Sequence, residues 1–204
     1  MNNLESHNSA PHIGVLAIQG DFERHATALQ EVGAVPTLVR DTKGLEDLDG
    51  LIMPGGESTT MLKFFHRGGL LEELKTFAAQ KPIFGTCAGA ILLAKEVRHP
   101  AQESLGVLDI VVERNAYGDQ RDSAILTLDT RLPPAAEPIP LETVFIRAPR
   151  IVSTGPEVEV LATRDAFPVL VRQGHILAAT FHPELSTDRR VHQYFVSQLC
   201  ASNG

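Results

Sequence analysis

Residues Ile13 to Ile18 form a short continuous apolar run, IGVLAI, the pattern of a parallel strand buried on both faces. Gln19-Gly20 ends it. From about Asp21 to Val32 the apolar positions Phe22, Ala26, Leu29 and Val32 recur at helical spacing, and Gly33 stops that helix. Val35 to Val39 reads as the next strand. An acidic connector, DTKGLEDLDG, then leads into a third apolar run, LIMP. This β-α-β order predicts right-handed crossovers and an open, mostly parallel sheet with helices on both faces, a three-layer α/β fold. Pro82 to Gly85 is a further buried strand, followed by a tight turn and an apolar helix beginning near Ala88.

Beyond that helix the pattern is less regular. Strands are predicted within Leu105–Glu113, over Ala124–Leu128, and over Leu141–Ile146. Between the last two, RLPPAAEPIP (131–140) reads as a surface loop, because the sheet pattern resumes after it. Val158–Thr163, Val169–Gln173 and Ile176–Phe181 complete the strands, the last two flanking Gly174-His175 like a hairpin. Met1 to Pro11 is polar and aperiodic and reads as a disordered tail, leaving 12–204 as one domain.

Composition narrows the class. A chain of 204 residues, 43% hydrophobic, suits a single well-buried core. A net charge of −7 argues against nucleic acid or an anionic membrane as partner, since each calls for a basic surface. No apolar run is long enough to span a bilayer, and the N-terminus shows no signal-peptide core. Two cysteines make a poor disulfide framework, so the expected setting is the cytoplasm, with reduced thiols.

The candidate chemistry centres on Gly85-Thr86-Cys87-Ala88-Gly89. A cysteine at the switch from strand to helix, with glycine two residues to either side, has the pattern of a nucleophile elbow. The helix behind it aims free N–H groups at the sulfur, and the Ala88 N–H is placed to stabilise an oxyanion. A plain buried cysteine is the competing reading. Late in the sheet stands Phe181-His182-Pro183-Glu184. Alternate residues of an extended segment share a side, so Glu184 can reach the imidazole, and Pro183 keeps His182 extended. His-x-Glu alone is weak; paired with an elbow cysteine it suggests Cys87, His182 and Glu184 as nucleophile, base and orienter.

Other features carry less. Pro54-Gly55-Gly56-Glu57-Ser58-Thr59-Thr60 lies at the carboxyl end of a strand, where open α/β sheets bind ligands. Ser58 or Thr59 is expected to cap the next helix. The Gly-Lys-Ser/Thr ending of a P-loop is missing. His25 and His66 are assigned to solvated helix faces, His99 and His175 to loops or turns, and His192 to the C-terminal helix. No histidine pair has metal-ligand spacing with a cysteine, so no metal site is expected. Cys200 reads as a small buried hydrophobe.

Taken together, the elbow and His182-Pro183-Glu184 resemble the class I, or triad, glutamine amidotransferases, whose fold is flavodoxin-like. Five motifs in order narrow the resemblance: Ala17-Ile-Gln-Gly20, Pro54-Gly-Gly-Glu-Ser-Thr-Thr-Met61, Glu113-Arg-Asn-Ala-Tyr-Gly118, Phe145-Ile-Arg-Ala-Pro149 and Phe181-His-Pro-Glu-Leu185. They are similar to those of the glutaminase subunits of pyridoxal 5'-phosphate synthase, over about Ile13 to Leu199. The resemblance implies hydrolysis of L-glutamine, with attack by Cys87, proton transfer by His182 and orientation by Glu184. It implies an oxyanion hole from Ala88, Gly55 and Gly56, and glutamine contacts at Gly55, Gly56, Glu57, Ser58, Arg114, Ile146 and Arg147. Either arginine suits the amino acid's α-carboxylate. It further implies no cofactor on this chain, and ammonia passed to a separate (β/α)8-barrel synthase subunit whose docking activates the glutaminase, with Gln19 at that interface. Asp21, Phe22 and His175 depart from the family's usual residues. Three alternatives remain: a glutaminase serving another amidotransferase, a different cysteine hydrolase on this fold, or a silent regulatory subunit. Such hydrolases commonly place histidine directly after the cysteine, where this chain has Ala88.

Overall fold

In the computed structural model, residues 10–114 and 123–200 are described. The expected tail up to residue 9, with His7, and positions 115–118 of the Arg114 motif lie outside them. The first half follows the β-α-β pattern: β1 (His12–Leu16), α1 (Phe22–Glu31), β2 (Val35–Val39), β3 (Gly50–Met53), α2 (Ser58–Gly68), α3 (Leu70–Gln80), β4 (Ile83–Thr86) and α4 (Ala88–Leu93). The second half is strand-rich: β5 (Ala94–Arg98), β6 (Leu108–Glu113), β7 (Ala124–Thr130), β8 (Ile139–Phe145), β9 (Arg150–Thr154), β10 (Glu159–Arg164), β11 (Phe167–Gln173) and β12 (Ile176–Ala179). A 3-10 turn, Pro183–Leu185, precedes α5 (Arg190–Tyr194), which runs on as a π-helical segment, Phe195–Cys200.

The main sheet has nine strands in the order β2-β1-β3-β4-β12-β11-β10-β7-β8. It is parallel from β2 to β12 and antiparallel from β12 to β8. Pro36 lacks an N–H to donate and is tolerated because β2 is an edge strand. β3 and β4 are buried throughout, as strands covered on both faces must be. One apolar cluster joins Met61, Phe65, Leu74 and Leu92 from α2–α4 to one face. The other joins Leu29 from α1 and Val191, Tyr194 and Phe195 from the C-terminal helix to Phe84, Leu177 and Phe181. These are the expected three layers.

Two strands were not anticipated, and both belong to a separate sheet of order β5-β6-β9. β5 (AKEVR) is mostly charged, and only Ala94 and Val97 face inward, so its pattern is too short to stand out. The Pro/Ala stretch is shorter than expected, because Ile139 and Pro140 already belong to β8. The hairpin exists, with Gln173 opposite Ile176 and Gly174 at φ 58°. His175 Nε2 lies 2.8 Å from the carbonyl of Ala78, tying that hairpin to α3.

The expectation for helix capping fails. Ser58 and Thr59 lie inside α2, and its N-cap is Glu57 in extended conformation. The Glu57 carboxylate instead accepts from the Thr59 and Thr60 hydroxyls, each at 2.9 Å, and Ser58 Oγ donates to Gln102 Oε1 at 3.0 Å. Phe22 packs against the core cluster of α1, whereas Asp21 is exposed.

Candidate active site

The candidate residues converge because they follow the carboxyl ends of neighbouring parallel strands. Gln19 follows β1, Gly55-Gly56 follow β3, Cys87 follows β4 and His182 follows β12. The chain leaves β1 for β2 on one side and returns to β3 on the other, so a crevice opens at this switch of strand order. A cleft of about 650 Å³ occupies it. Its lining includes Gln19, Gly55, Gly56, Glu57, Ser58, Cys87, Arg114, Ile146, Arg147 and His182. Ala88 lies just under the surface at the start of α4, and Glu184 stands behind His182. The sequence reading missed Gly20, Asp21, Ile91 and Pro149, which also line the cleft. A second cleft of about 400 Å³, between α3 and the Thr42–Leu45 turn, has neither cysteine nor histidine in its wall.

Cys87 occupies the strained turn. Its φ of 48° and ψ of −104° lie outside the regions that L-residues favour, and its N–H is anchored to the carbonyl of Ala179 at 2.8 Å. The flanking glycines are there because nothing larger fits. A Cβ on Gly89 would stand 2.0 Å from the Met53 carbonyl oxygen, and one on Gly85 would stand 2.6 Å from the Gly89 carbonyl carbon. The helix behind the sulfur is only six residues long, so its dipole contributes less than the charge of a neighbouring imidazolium.

His182 supplies that neighbour. Its backbone N–H donates to the Val144 carbonyl at 2.8 Å, fixing the end of β12 against β8. Its Nδ1 donates to Glu184 Oε1 at 2.7 Å, the length of a charge-assisted bond. The Pro183–Leu185 turn brings the carboxylate back to the ring. Burial works against the imidazolium, but hydrogen bonds to Cys87 and Glu184, with their charges, outweigh it and hold the His182 pKa up to about 10. The arrangement is a thiol, an imidazole and a carboxylate in series, the order in which an imidazole can take a thiol proton while the carboxylate orients it.

Around this core the loops are tightly packed. A Cβ on Gly55 would fall 2.6 Å from His182 Cε1, and one on Gly20 would fall 2.0 Å from the Gly55 carbonyl oxygen. Gln19 Oε1 accepts from the Glu57 N–H at 3.1 Å, linking the end of β1 to the glycine loop. Hydrogen bonds from Thr59 and Thr60 hold the exposed Glu57 carboxyl below the usual carboxylate range, aided by Lys63 and Arg114. Arg147 sits in the left-handed region at φ 45° and is exposed, as is Ile146; Arg114 is half-buried.

One histidine departs from the sequence reading: His25 was expected on a solvated helix face, whereas His192 lies on the C-terminal helix as expected. His25 faces the interior, and both it and His192 are fully buried. His25 Nδ1 lies 3.0 Å from His192 Nε2, and His25 Nε2 lies 3.2 Å from Thr86 Oγ1 and 3.3 Å from Glu184 Oε2. The signal was present: His25 shares the stripe of Phe22, Leu29 and Val32 at helical spacing. Cys200 is buried against Gly50, as expected of a small hydrophobe.

Comparison with known proteins settles the family. The model of the SNO glutamine amidotransferase family matches residues 15–201. The chain belongs to that family. It is 55% identical to the pyridoxal 5'-phosphate synthase subunit PdxT of Koribacter versatilis, over 94% of this chain and 97% of that one. It is 50% identical to the same-named subunit of Thermotoga maritima, over 92% and 98%. A crystal structure of a glutamine amidotransferase superposes with a TM-score of 0.84 at 46% identity, covering 93% of this chain and 98% of the other. PurLQS from Thermotoga maritima, at 18% identity and a TM-score of 0.73, shares the fold.

Proposed function

We propose that this member of the SNO glutamine amidotransferase family is the glutamine-hydrolysing subunit of a pyridoxal 5'-phosphate synthase, working through Cys87, His182 and Glu184. The observation that carries the reading is His182, set between Cys87 and the Glu184 carboxylate at the wall of the cleft, with its pKa held up to about 10. Cys87 thiolate attacks the side-chain amide carbon of L-glutamine. The carbonyl oxygen takes the negative charge and is met by backbone N–H groups of Ala88 and of Gly55-Gly56. The His182 imidazolium gives its proton to the leaving ammonia. Its neutral form then takes a proton from water, which attacks the glutamyl thioester and releases L-glutamate and Cys87.

The remaining residues of the cleft bind the amino acid. Glu57 and Ser58 border the glycine loop, Ile146 covers the aliphatic stem, and the guanidinium of Arg114 or Arg147 pairs with the α-carboxylate. Released ammonia passes to a partner synthase subunit, a (β/α)8 barrel, which supplies the acceptor chemistry. Gln19 belongs to the docking face. Its bond to the Glu57 N–H gives docking a physical route to the glycine loop. The free thiols of Cys87 and Cys200 support a cytoplasmic setting, and no helix among the described residues is long and apolar enough to cross a membrane.

The test is glutamate formation from L-glutamine with and without the barrel subunit. Stimulation by the barrel is expected. Hydrolysis indifferent to the barrel keeps the triad and removes the partner; a chain inert in both arms is a silent subunit.

A further inference from the structure

The triad uses one oxygen of Glu184. Oε1 accepts from His182 Nδ1 at 2.7 Å, while Oε2, fully buried, has no well-aligned hydrogen-bond donor among the described residues, and His25 Nε2 faces it at 3.3 Å. A buried carboxylate oxygen left to itself is costly, and a carboxylate free to turn orients its histidine poorly. What faces it therefore matters. His25 sits on α1 and His192 on α5, and both elements pack on the same face of the sheet, behind the catalytic strand ends.

Only one pair of tautomers suits this arrangement. Suppose His25 carried its proton on Nδ1 and donated to His192 Nε2. The Nε2 lone pair of His25 would then point at a carboxylate oxygen 3.3 Å away. His192 would carry its proton on Nδ1, an atom that is buried and lacks a partner among the described residues. That choice opposes two lone pairs and strands a buried N–H. The opposite choice has His192 Nε2–H donate to His25 Nδ1, and His25 Nε2–H donate to Thr86 Oγ1 at 3.2 Å with Glu184 Oε2 beside it at 3.3 Å, within reach of a small turn of the carboxylate. It strands only a lone pair on His192, the smaller cost.

We propose that His192 and His25 form a positioning chain behind the triad, in which the His25 Nε2–H holds the second oxygen of Glu184 and so fixes the carboxylate that orients His182. The chain requires both imidazoles to be neutral, and burial secures this. It pushes His25 well below the ordinary imidazole value, with His192, His182 and Arg189 adding to the effect, and it pushes His192 down to about 3. Thr86, the residue before the nucleophile, shares the same N–H, so one imidazole touches both the acid-bearing turn and the elbow. His25 and His192 touch neither substrate nor thiol; they act through Glu184.

This inference rests on the glutaminase reading, and the test separates the two. In the full chain, nitrogen-15 spectra of labelled histidines report the tautomers whether or not the protein is active. The Nε2–H tautomer is expected at both His25 and His192; the Nδ1–H tautomer at His25 overturns the chain. Kinetics follow in the complex with the barrel subunit. His25→Leu removes the donor and should lower kcat roughly tenfold or more while leaving the KM for glutamine unchanged, as loss of one hydrogen bond to a charged group predicts. His25→Gln offers an N–H near the position of Nε2 and should restore most of that loss. Equal loss in both variants, or a change confined to KM, would mean that His25 only fills space, and wild-type kcat in His25→Leu would end the proposal. Absence of glutaminase activity in the wild-type complex removes the underlying reading and the inference with it.

Discussion

Replacing Glu184 by Gln changes one charge and almost no volume, so it isolates what the carboxylate does for His182. The bond it alters is the 2.7 Å contact from His182 Nδ1 to Oε1, in a site where Glu184 is fully covered. A hydrogen bond to a charged group is worth about 1.5–3 kcal/mol and a neutral one roughly half as much, so the variant should lose about 1–2 kcal/mol of support for the imidazolium. That loss is roughly one unit of pKa and about 5–30-fold in rate. The sign follows from His182 itself. Its folded value is raised to about 10, so the imidazolium is present below that pH and is lost as pH rises through it. In the Glu184→Gln variant the loss should come at lower pH. The assay is the pH profile of kcat/KM for glutamate formation. Partial activity with an alkaline limb displaced downward by roughly a unit is expected. An unmoved limb with wild-type kcat would show that Glu184 plays no part in holding the imidazolium.

Three further perturbations address other parts of the account. Gly89→Ala places a Cβ 2.0 Å from the Met53 carbonyl oxygen, a backbone atom that cannot swing aside. Overpacking of this kind costs about 1–3 kcal/mol, a fall in Tm of roughly 2–12 °C by calorimetry, with activity falling further as Cys87 moves; an unchanged Tm would contradict the elbow's tight packing. Arg114→Ala and Arg147→Ala compared side by side should raise the KM for glutamine roughly tenfold or more in the variant that loses the carboxylate's partner, and wild-type KM in both would remove the guanidinium from the site. Iodoacetamide at pH 8 should label Cys87 and spare Cys200, whose thiol burial and Asp49 push up to about 12; peptide mapping that finds Cys200 labelled first would refute this.

The parallel half of the fold was legible because its strands are continuous apolar runs with glycine stops: Ile13–Ile18, Val35–Val39 and LIMP all became strands within a residue or two of their expected bounds. In the smaller sheet β6 was legible within Leu105–Glu113, but β5 and β9 were not; β5 is mostly charged and buries only Ala94 and Val97. That Cys87, His182 and Glu184 come together could be read because each sits at or just past the end of a predicted strand, and strand ends of a parallel sheet meet at one edge. His25 and His192 could not be read as catalytic neighbours, because their meaning depends on two helices packing on one face behind the triad. Their burial, however, was encoded: His25 falls in register with Leu29, and His192 with Phe195 and Leu199. At these positions register along the helix, and not side-chain polarity, decides burial. Ser58 shows the converse. A good capping residue sits at the helix start, yet Glu57 takes the N-cap position and Ser58 turns to Gln102.

The central claim is that Cys87 is the nucleophile, and the most direct measurement is glutamate formation by the wild-type chain and by Cys87→Ala, each with the barrel subunit. The account predicts glutamate from the wild type and none from Cys87→Ala, with circular dichroism and partner binding unchanged between them. Glutamate formation by folded Cys87→Ala at the wild-type rate would contradict it.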